Sequence, residues 1–250
     1  MKRILLSLMV FLMTILVASS LADPMALDDD LTGTFRFPYD DMDPDAGAYV
    51  YTYRYPHIAG SDPDASCVNL FFVDLLETME TNLQFTAEGY AESGKSVNVD
   101  VDYKITCNNS QFFSLVLIRT VASGEESRVI WQGNTFSRLS AGSGTCDLAS
   151  ILGLSDPGGL DEDRQSRQSE KINQIVRRMV LKQMEENPQG IDWLEDFSAD
   201  DLNYTFYPAD DFYLDKRGNP VFYLEPGIVA DESAGYIRFP ISLIDIEDEL

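Results

Sequence analysis

Forty-two Asp and Glu residues face 18 Lys and Arg, and the chain holds one histidine, His57. That inventory limits the chemistry. Ser/His/Asp and Cys/His catalysis need an imidazole base, and multi-histidine metal centres need several, whereas His57 follows Pro56 at a strand end and reads as a solvated loop residue. Paired carboxylates remain, because two facing acids can hydrolyse a glycosidic bond. With so many acids, no spacing singles out a pair, and the chain is expected not to be an enzyme. Asp41, Asp43 and Asp45 resemble the opening of a calcium loop. The sixth and twelfth places, which want Gly and Glu, hold Ala46 and Thr52, so an EF-hand fails. An irregular calcium site in this acidic stretch stays open, but no metal ligand or cofactor is assigned.

What is left is binding. A net charge of −24 argues against nucleic acid, since a duplex-binding surface must supply cations to displace phosphate counterions. The same charge would steer a basic protein toward this one. Tyr49, Tyr51, Tyr53 and Tyr55 alternate along one strand, so their common face is either an exposed aromatic platform or a packed face. Candidate ligand-binding residues are therefore the acids Asp100, Asp102, Glu125 and Glu126 with Tyr51 and Tyr53.

These residues must be positioned by folded elements, and a hydrophobic fraction of 44% provides a core for them. Lys2 and Arg3 precede an apolar run from Ile4 to Ala18, with small residues at Ser20 and Ala22. This reads as a secretory signal over residues 1–22, too short to span a bilayer. Cleavage would leave 16 basic against 42 acidic residues, a net charge of −26, in a secreted or periplasmic chain. Residues 23–46 read as an acidic, flexible lead-in. An N-terminal α+β domain follows over 47–155. It has a strand at Tyr49–Tyr55, a helix at Cys67–Leu83, and an antiparallel meander of Val97–Ile105, Phe112–Val121 and Arg128–Arg138. In Val97–Ile105 the alternation of valines with Asn98, Asp100, Asp102 and Lys104 predicts one packed and one solvated face. A smaller C-terminal α+β part covers 165–250, with a helix at Ser169–Glu186 and strand signals at Leu202–Phe206, Phe212–Leu214, Val221–Leu224 and Tyr236–Ile241. Three cysteines in an oxidising compartment allow one internal bond. The end of the first meander strand and the end of the third lie at the same sheet edge, which predicts a Cys107–Cys146 disulfide and leaves Cys67 over.

The order of these segments resembles a bacterial extracytoplasmic module of two adjoining domains of unknown function. It occurs in the lysozyme-sensing anti-sigma-V factors (RsiV-like) and in the accessory region of some peptidoglycan deacetylases (PdaC-like). The likeness is carried by Tyr53–Arg54–Tyr55–Pro56, Asn69–Leu70–Phe71–Phe72, Asp102–Tyr103–Lys104–Ile105–Thr106, Ser114–Leu115–Val116–Leu117 and Thr135–Phe136. Phe212–Tyr213–Leu214, Val221–Phe222–Tyr223 and Phe239–Pro240 continue it, over about residues 49–245. Two departures stand out. The family's Gly-Gly-Ala-His-like turn is replaced by Ser123–Gly124–Glu125–Glu126–Ser127, and a signal stands where the anti-sigma factors have a cytoplasmic segment and membrane helix. The resemblance implies a secreted, non-catalytic binding module of the cell envelope whose partner is lysozyme, another basic protein, or cell-wall glycan. An envelope glycan hydrolase and a calcium-binding structural protein are the alternatives.

Overall fold

The computed structural model describes residues 23–37, 48–91, 96–138, 144–154 and 162–250. The expected signal, the acids Asp40 to Asp45 and the turn residues Pro157, Gly158 and Gly159 lie outside them. The fold is α+β. Five strands form one sheet in chain order: β1 (Leu31–Phe37), β2 (Tyr49–Tyr55), β3 (Val97–Asn108), β4 (Phe112–Ser123) and β5 (Glu126–Ser137). The pairs β1–β2, β3–β4 and β4–β5 are antiparallel, and β2–β3 is parallel. A parallel pair needs a long crossover, which helix α1 (Pro63–Ala91) supplies.

Helix α1 begins four residues before the apolar stripe predicted. Asp62 accepts a hydrogen bond from the Ala65 N–H at 2.9 Å, and Pro63 takes the first helical position, where its missing N–H costs nothing. Ala65, Val68, Phe72, Leu83 and Ala87 follow at helical spacing and are buried against Tyr51, Tyr55, Val97, Val99, Leu115 and Phe136 of the sheet. Each side chain of Phe or Leu size so buried contributes about 1.5–3 kcal/mol.

Strand β1 lies inside the stretch expected to be a flexible lead-in. Its residues alternate in exposure, and it pairs with β2 along its whole length, Leu31 opposite Tyr55 and Phe37 opposite Tyr49. Gly33 makes this possible: a Cβ there would lie 2.4 Å from the Tyr53 hydroxyl, so the tyrosine ring occupies the side-chain space that glycine leaves. Upstream, the Asn108 side chain accepts from the Met25 N–H at 2.8 Å and donates to the Met25 carbonyl at 2.9 Å.

The C-terminal part comprises helix α2 (Leu148–Ile151), α3 (Glu162–Glu186), α4 (Leu202–Thr205) and a three-stranded antiparallel sheet of β6 (Phe212–Leu214), β7 (Pro220–Leu224) and β8 (Ile237–Pro240), closed by α5 (Leu243–Glu249). Ile172, Ile175, Val176 and Val180 of α3 pack on Phe212, Leu214, Phe222 and Phe239. Cys107 and Phe112 of the first sheet belong to this same core. One reading changes here. Leu202–Phe206 is a helical turn and not a strand: it continues a 3-10 turn over Ala199–Asp201, where the Asp201 carboxylate accepts from the Ser198 N–H at 2.8 Å, and Leu202 and Phe206, four apart, are both fully buried. The acidic end is also helical, started by the Ser242 hydroxyl and buried through Ile246.

The two sheets meet along β5. A two-residue turn joins Ser123 to Glu126, and the Arg138 N–H donates to the Gln111 carbonyl, so even-numbered residues of β5 bond to β4 and odd-numbered ones turn their peptide groups outward. Tyrosine hydroxyls of the second sheet cap that outward row. Tyr236 accepts from the Trp131 N–H at 2.8 Å and donates to the Val129 carbonyl at 3.2 Å. Tyr223 accepts from the Gly133 N–H at 3.0 Å. The Trp131 and Tyr236 rings stack with centroids 4.2 Å apart, and the Ser114 hydroxyl accepts from the Leu214 N–H at 3.0 Å.

At Gly133 the backbones approach so closely that a Cβ would lie 1.7 Å from the Phe212 carbonyl oxygen. Gly133→Ala is therefore expected to force the sheets apart and lower stability by about 2–3 kcal/mol. Urea unfolding checks this, and a loss under about 0.5 kcal/mol, the level of an ordinary surface change, would contradict it.

Candidate functional site

The structure disperses the six residues singled out from the sequence. Tyr51 is buried, its hydroxyl 2.7 Å from that of Tyr55, and burial pushes its pKa up. Tyr53 stacks on Tyr55 at 5.4 Å and covers Gly33. The tyrosine row is thus a packed face. Asp100 is exposed on β3 opposite Thr52 and Thr120. Glu125 and Glu126 sit at the exposed tip of the β4–β5 hairpin.

Asp102 joins a network whose other acid lay unsuspected in the lead-in. Arg54 pairs with Asp102 and, at 2.8 Å, with Asp30, while its guanidinium lies 4.6 Å from the centre of the Tyr103 ring. The Tyr103 hydroxyl donates to Asp30 at 2.6 Å. Burial alone would raise the Asp30 carboxyl, but the bonds from Tyr103 and Arg54 outweigh it and hold it below its ordinary value. Burial, then the bond to Asp30, push Tyr103 up to about 12. The network ties β1 to β2 and β3 through one guanidinium shared by two carboxylates.

The predicted Cys107–Cys146 bond is not formed: both are thiols. Cys107 lies opposite Ser114, Ser114 opposite Thr135, and the Cys146 N–H donates to the Thr135 carbonyl at 2.6 Å. Three interstrand steps of about 4.8 Å put roughly 14 Å between the two backbones, twice the reach of a disulfide. Sharing a sheet edge is not enough when β4 and β5 stand between.

A cleft of about 410 Å³ opens at the seam beside this point. Gln132 to Thr135 of β5 form one wall, Thr145, Cys146 and Asp147 a second, and Ala209, Asp210 and Phe212 the third. Of the outward peptide groups of β5 here, the Gly133 N–H is taken by Tyr223 and the Thr135 carbonyl by Cys146. Among the described residues nothing bonds to the Gly133 carbonyl or the Thr135 N–H. One acceptor and one donor flanking Asn134 are the pair a parallel neighbouring strand uses to hold a single residue. Asp210 is exposed at the rim, and Asp147 accepts from the Ser150 N–H at 2.8 Å, capping α2. Sequence reasoning passed over this site. Its signal was Gly133, a lone glycine inside a strand pattern, which marks a close backbone approach.

Asp211 sits behind the cleft. Burial, with Asp210 and Glu225 adding to it, raises its pKa to about 6 against the pull of the Tyr207 N–H, which it accepts at 2.7 Å. A raised acid near a second carboxylate is what a glycoside hydrolase requires. Here the Asp211 carboxylate holds the Tyr207 backbone, Glu225 pairs with Arg128 at 2.5 Å, and the cleft is lined by Asp210 and not Asp211. Among the described residues no cluster of three or more His, Cys, Asp or Glu could hold a metal ion, and no helix is long and apolar enough to cross a membrane.

Residues 161–243 match DUF3298, a family described as protein of unknown function. That stretch runs from α3 to the start of α5 and so supplies one wall of the seam, including Asp210, Phe212, Tyr223 and Tyr236. A solved structure of a DUF3298 family member from Bacteroides fragilis NCTC 9343 is 10% identical, aligns over 90% of this chain and 94% of its own, and has a TM-score of 0.54. The likeness is one of fold. Another, from Pseudomonas aeruginosa PAO1, is 13% identical with the same coverage, 90% and 94%, at a TM-score of 0.46. No curated protein matches the chain.

The Asp211 carboxyl, raised from 3.8 to about 6, keeps its proton longer in the folded than in the unfolded chain. Its contribution to stability therefore falls as pH rises between those values and is constant above them. Asp211→Asn keeps an acceptor for Tyr207 and removes this term. Urea unfolding from pH 4 to 7 is expected to show the variant gaining on the parent up to about pH 6. A difference independent of pH would contradict the assignment.

Proposed function

We propose that the protein is an exported, non-catalytic binding module of the cell envelope that docks an extended, basic segment of a partner protein in the seam cleft. The observation that carries this is the open pair on β5, the Gly133 carbonyl and the Thr135 N–H, inside a cleft edged by Asp147 and Asp210. Strand addition gives a partner main-chain bonds without dictating its sequence, and the acidic rim selects its charge. The excess of 42 acids over 18 bases raises the rate at which a basic partner arrives. Export is supported by Lys2, Arg3 and the apolar run that follows. Lysozyme as the partner class is supported by the likeness to the lysozyme-sensing modules.

Calorimetric titration with a basic animal lysozyme tests this at low and at physiological salt. Saturable one-to-one binding should survive physiological salt, where attraction between exposed charges alone is screened. Asp147→Asn with Asp210→Asn removes two charges from the cleft, and asparagine still caps α2. This pair should weaken binding at least about tenfold, ~1.4 kcal/mol. Glu125→Gln with Glu126→Gln removes two charges at the hairpin tip and should leave affinity unchanged. Equal losses from both pairs, or no binding at physiological salt, would overturn the proposal.

A further inference from the structure

The three thiols occupy different surroundings. Cys107 is 1% exposed in the second core, receives a hydrogen bond from Asn109 Nδ2 at 3.2 Å, and is pushed up to about 11 by burial and the nearby Asp215. Cys67 lies in the second turn of α1 and accepts the Gly144 N–H at 3.4 Å, which brings the segment after β5 onto the start of the helix. Cys146 is two residues farther along that segment, and its own N–H is fixed to the Thr135 carbonyl at 2.6 Å. Two residues of chain span at most about 7 Å. With Gly144 against the Cys67 sulfur, the Cys146 backbone thus lies within about 10 Å of that sulfur. The Cys146 thiol is raised mainly by burial, with Asp147 and Cys67 itself adding to the effect. Cys67 and Cys146 are both partly exposed, so an oxidant can reach them.

We infer that Cys67 and Cys146 are a disulfide-forming pair, joining the first turns of α1 to the wall of the seam cleft. The oxidant is a disulfide, of a small molecule or of a thiol–disulfide oxidoreductase. One cysteine thiolate attacks it to give a mixed disulfide and releases a thiol. The second thiolate then displaces the other half, so two protein thiols become one S–S bond while the incoming disulfide is reduced to two thiols. Cys107 takes no part. Where this happens in the cell rests on the export proposal, because an oxidising compartment is needed. The pairing itself does not. Because Cys146 and Asp147 line the cleft, the bond would also fix that wall before a partner arrives.

The test is oxidation of the purified, reduced chain with oxidised glutathione, followed by non-reducing proteolysis and mass spectrometry. The expected product is a monomer with a Cys67–Cys146 linked peptide and one remaining thiol, Cys107, alkylated only after unfolding. Its melting temperature should be higher than that of the reduced chain by roughly 5–10 °C. Cys107→Ser should form the same bond, and Cys146→Ser should form no intramolecular bond. A link involving Cys107, a predominantly disulfide-bonded dimer, or three thiols surviving the oxidant would overturn the inference. Because no partner protein is present, these outcomes are independent of whether the cleft binds lysozyme.

Discussion

The structure hangs on how the outer edge of β5 is closed. An edge strand exposes a row of unpaired donors and acceptors, and in a β4–β5 hairpin of this length that row would invite any passing strand. Here the hydroxyls of Tyr223 and Tyr236 take the groups of Val129, Trp131 and Gly133, and Gly133 lets the Phe212 carbonyl come against the strand itself. A tyrosine suits this work because its ring buries apolar area while its hydroxyl both donates and accepts. The closure joins the five-stranded sheet to the three-stranded one, so Cys107 and Phe112 can belong to the core beneath α3.

The same closure creates the site by stopping short. Beyond Gly133 the tyrosines give way to the Cys146 segment, and one carbonyl and one N–H between them face a cleft instead of a partner. Asp211 has the raised pKa of a general acid, but its oxygen holds the Tyr207 backbone and its neighbour Glu225 is tied to Arg128. Asp102 and Asp30 likewise share the Arg54 guanidinium. In the proposed function, the acids left at the surface attract a basic partner at long range, and the strand edge then holds it at short range.

Much of the fold was legible wherever a single period ruled a segment. Val97, Val99 and Val101 against Asn98 and Asp100 could only be a strand with one solvated face, and the apolar stripe of α3 could only be a helix. Legibility failed where a tertiary partner decided the outcome. Leu31–Phe37 sits among aspartates, and only the accommodation of Tyr53 over Gly33 makes it a strand. Leu202 and Phe206 suit either period, and the Ser198–Asp201 cap tips them to helix. The α+β class agrees with the reading of the chain as two α+β parts. The site was less legible than the fold. Acidic and aromatic side chains are visible in a sequence, whereas the open groups of β5 belong to the backbone, which every sequence has. The cysteine pairing failed for a related reason, since shared sheet edges say nothing about how many strands lie between.

The most direct measurement is amide hydrogen exchange along β5, alone and with saturating basic lysozyme. In the free protein the Thr135 amide should exchange faster than those of Asn134 and Phe136, which bond to β4. On binding, Thr135 should slow by at least about tenfold, more than any amide of β3 or the hairpin tip. A Thr135 amide already slow in the free chain, or one unchanged while lysozyme is bound, would contradict the account.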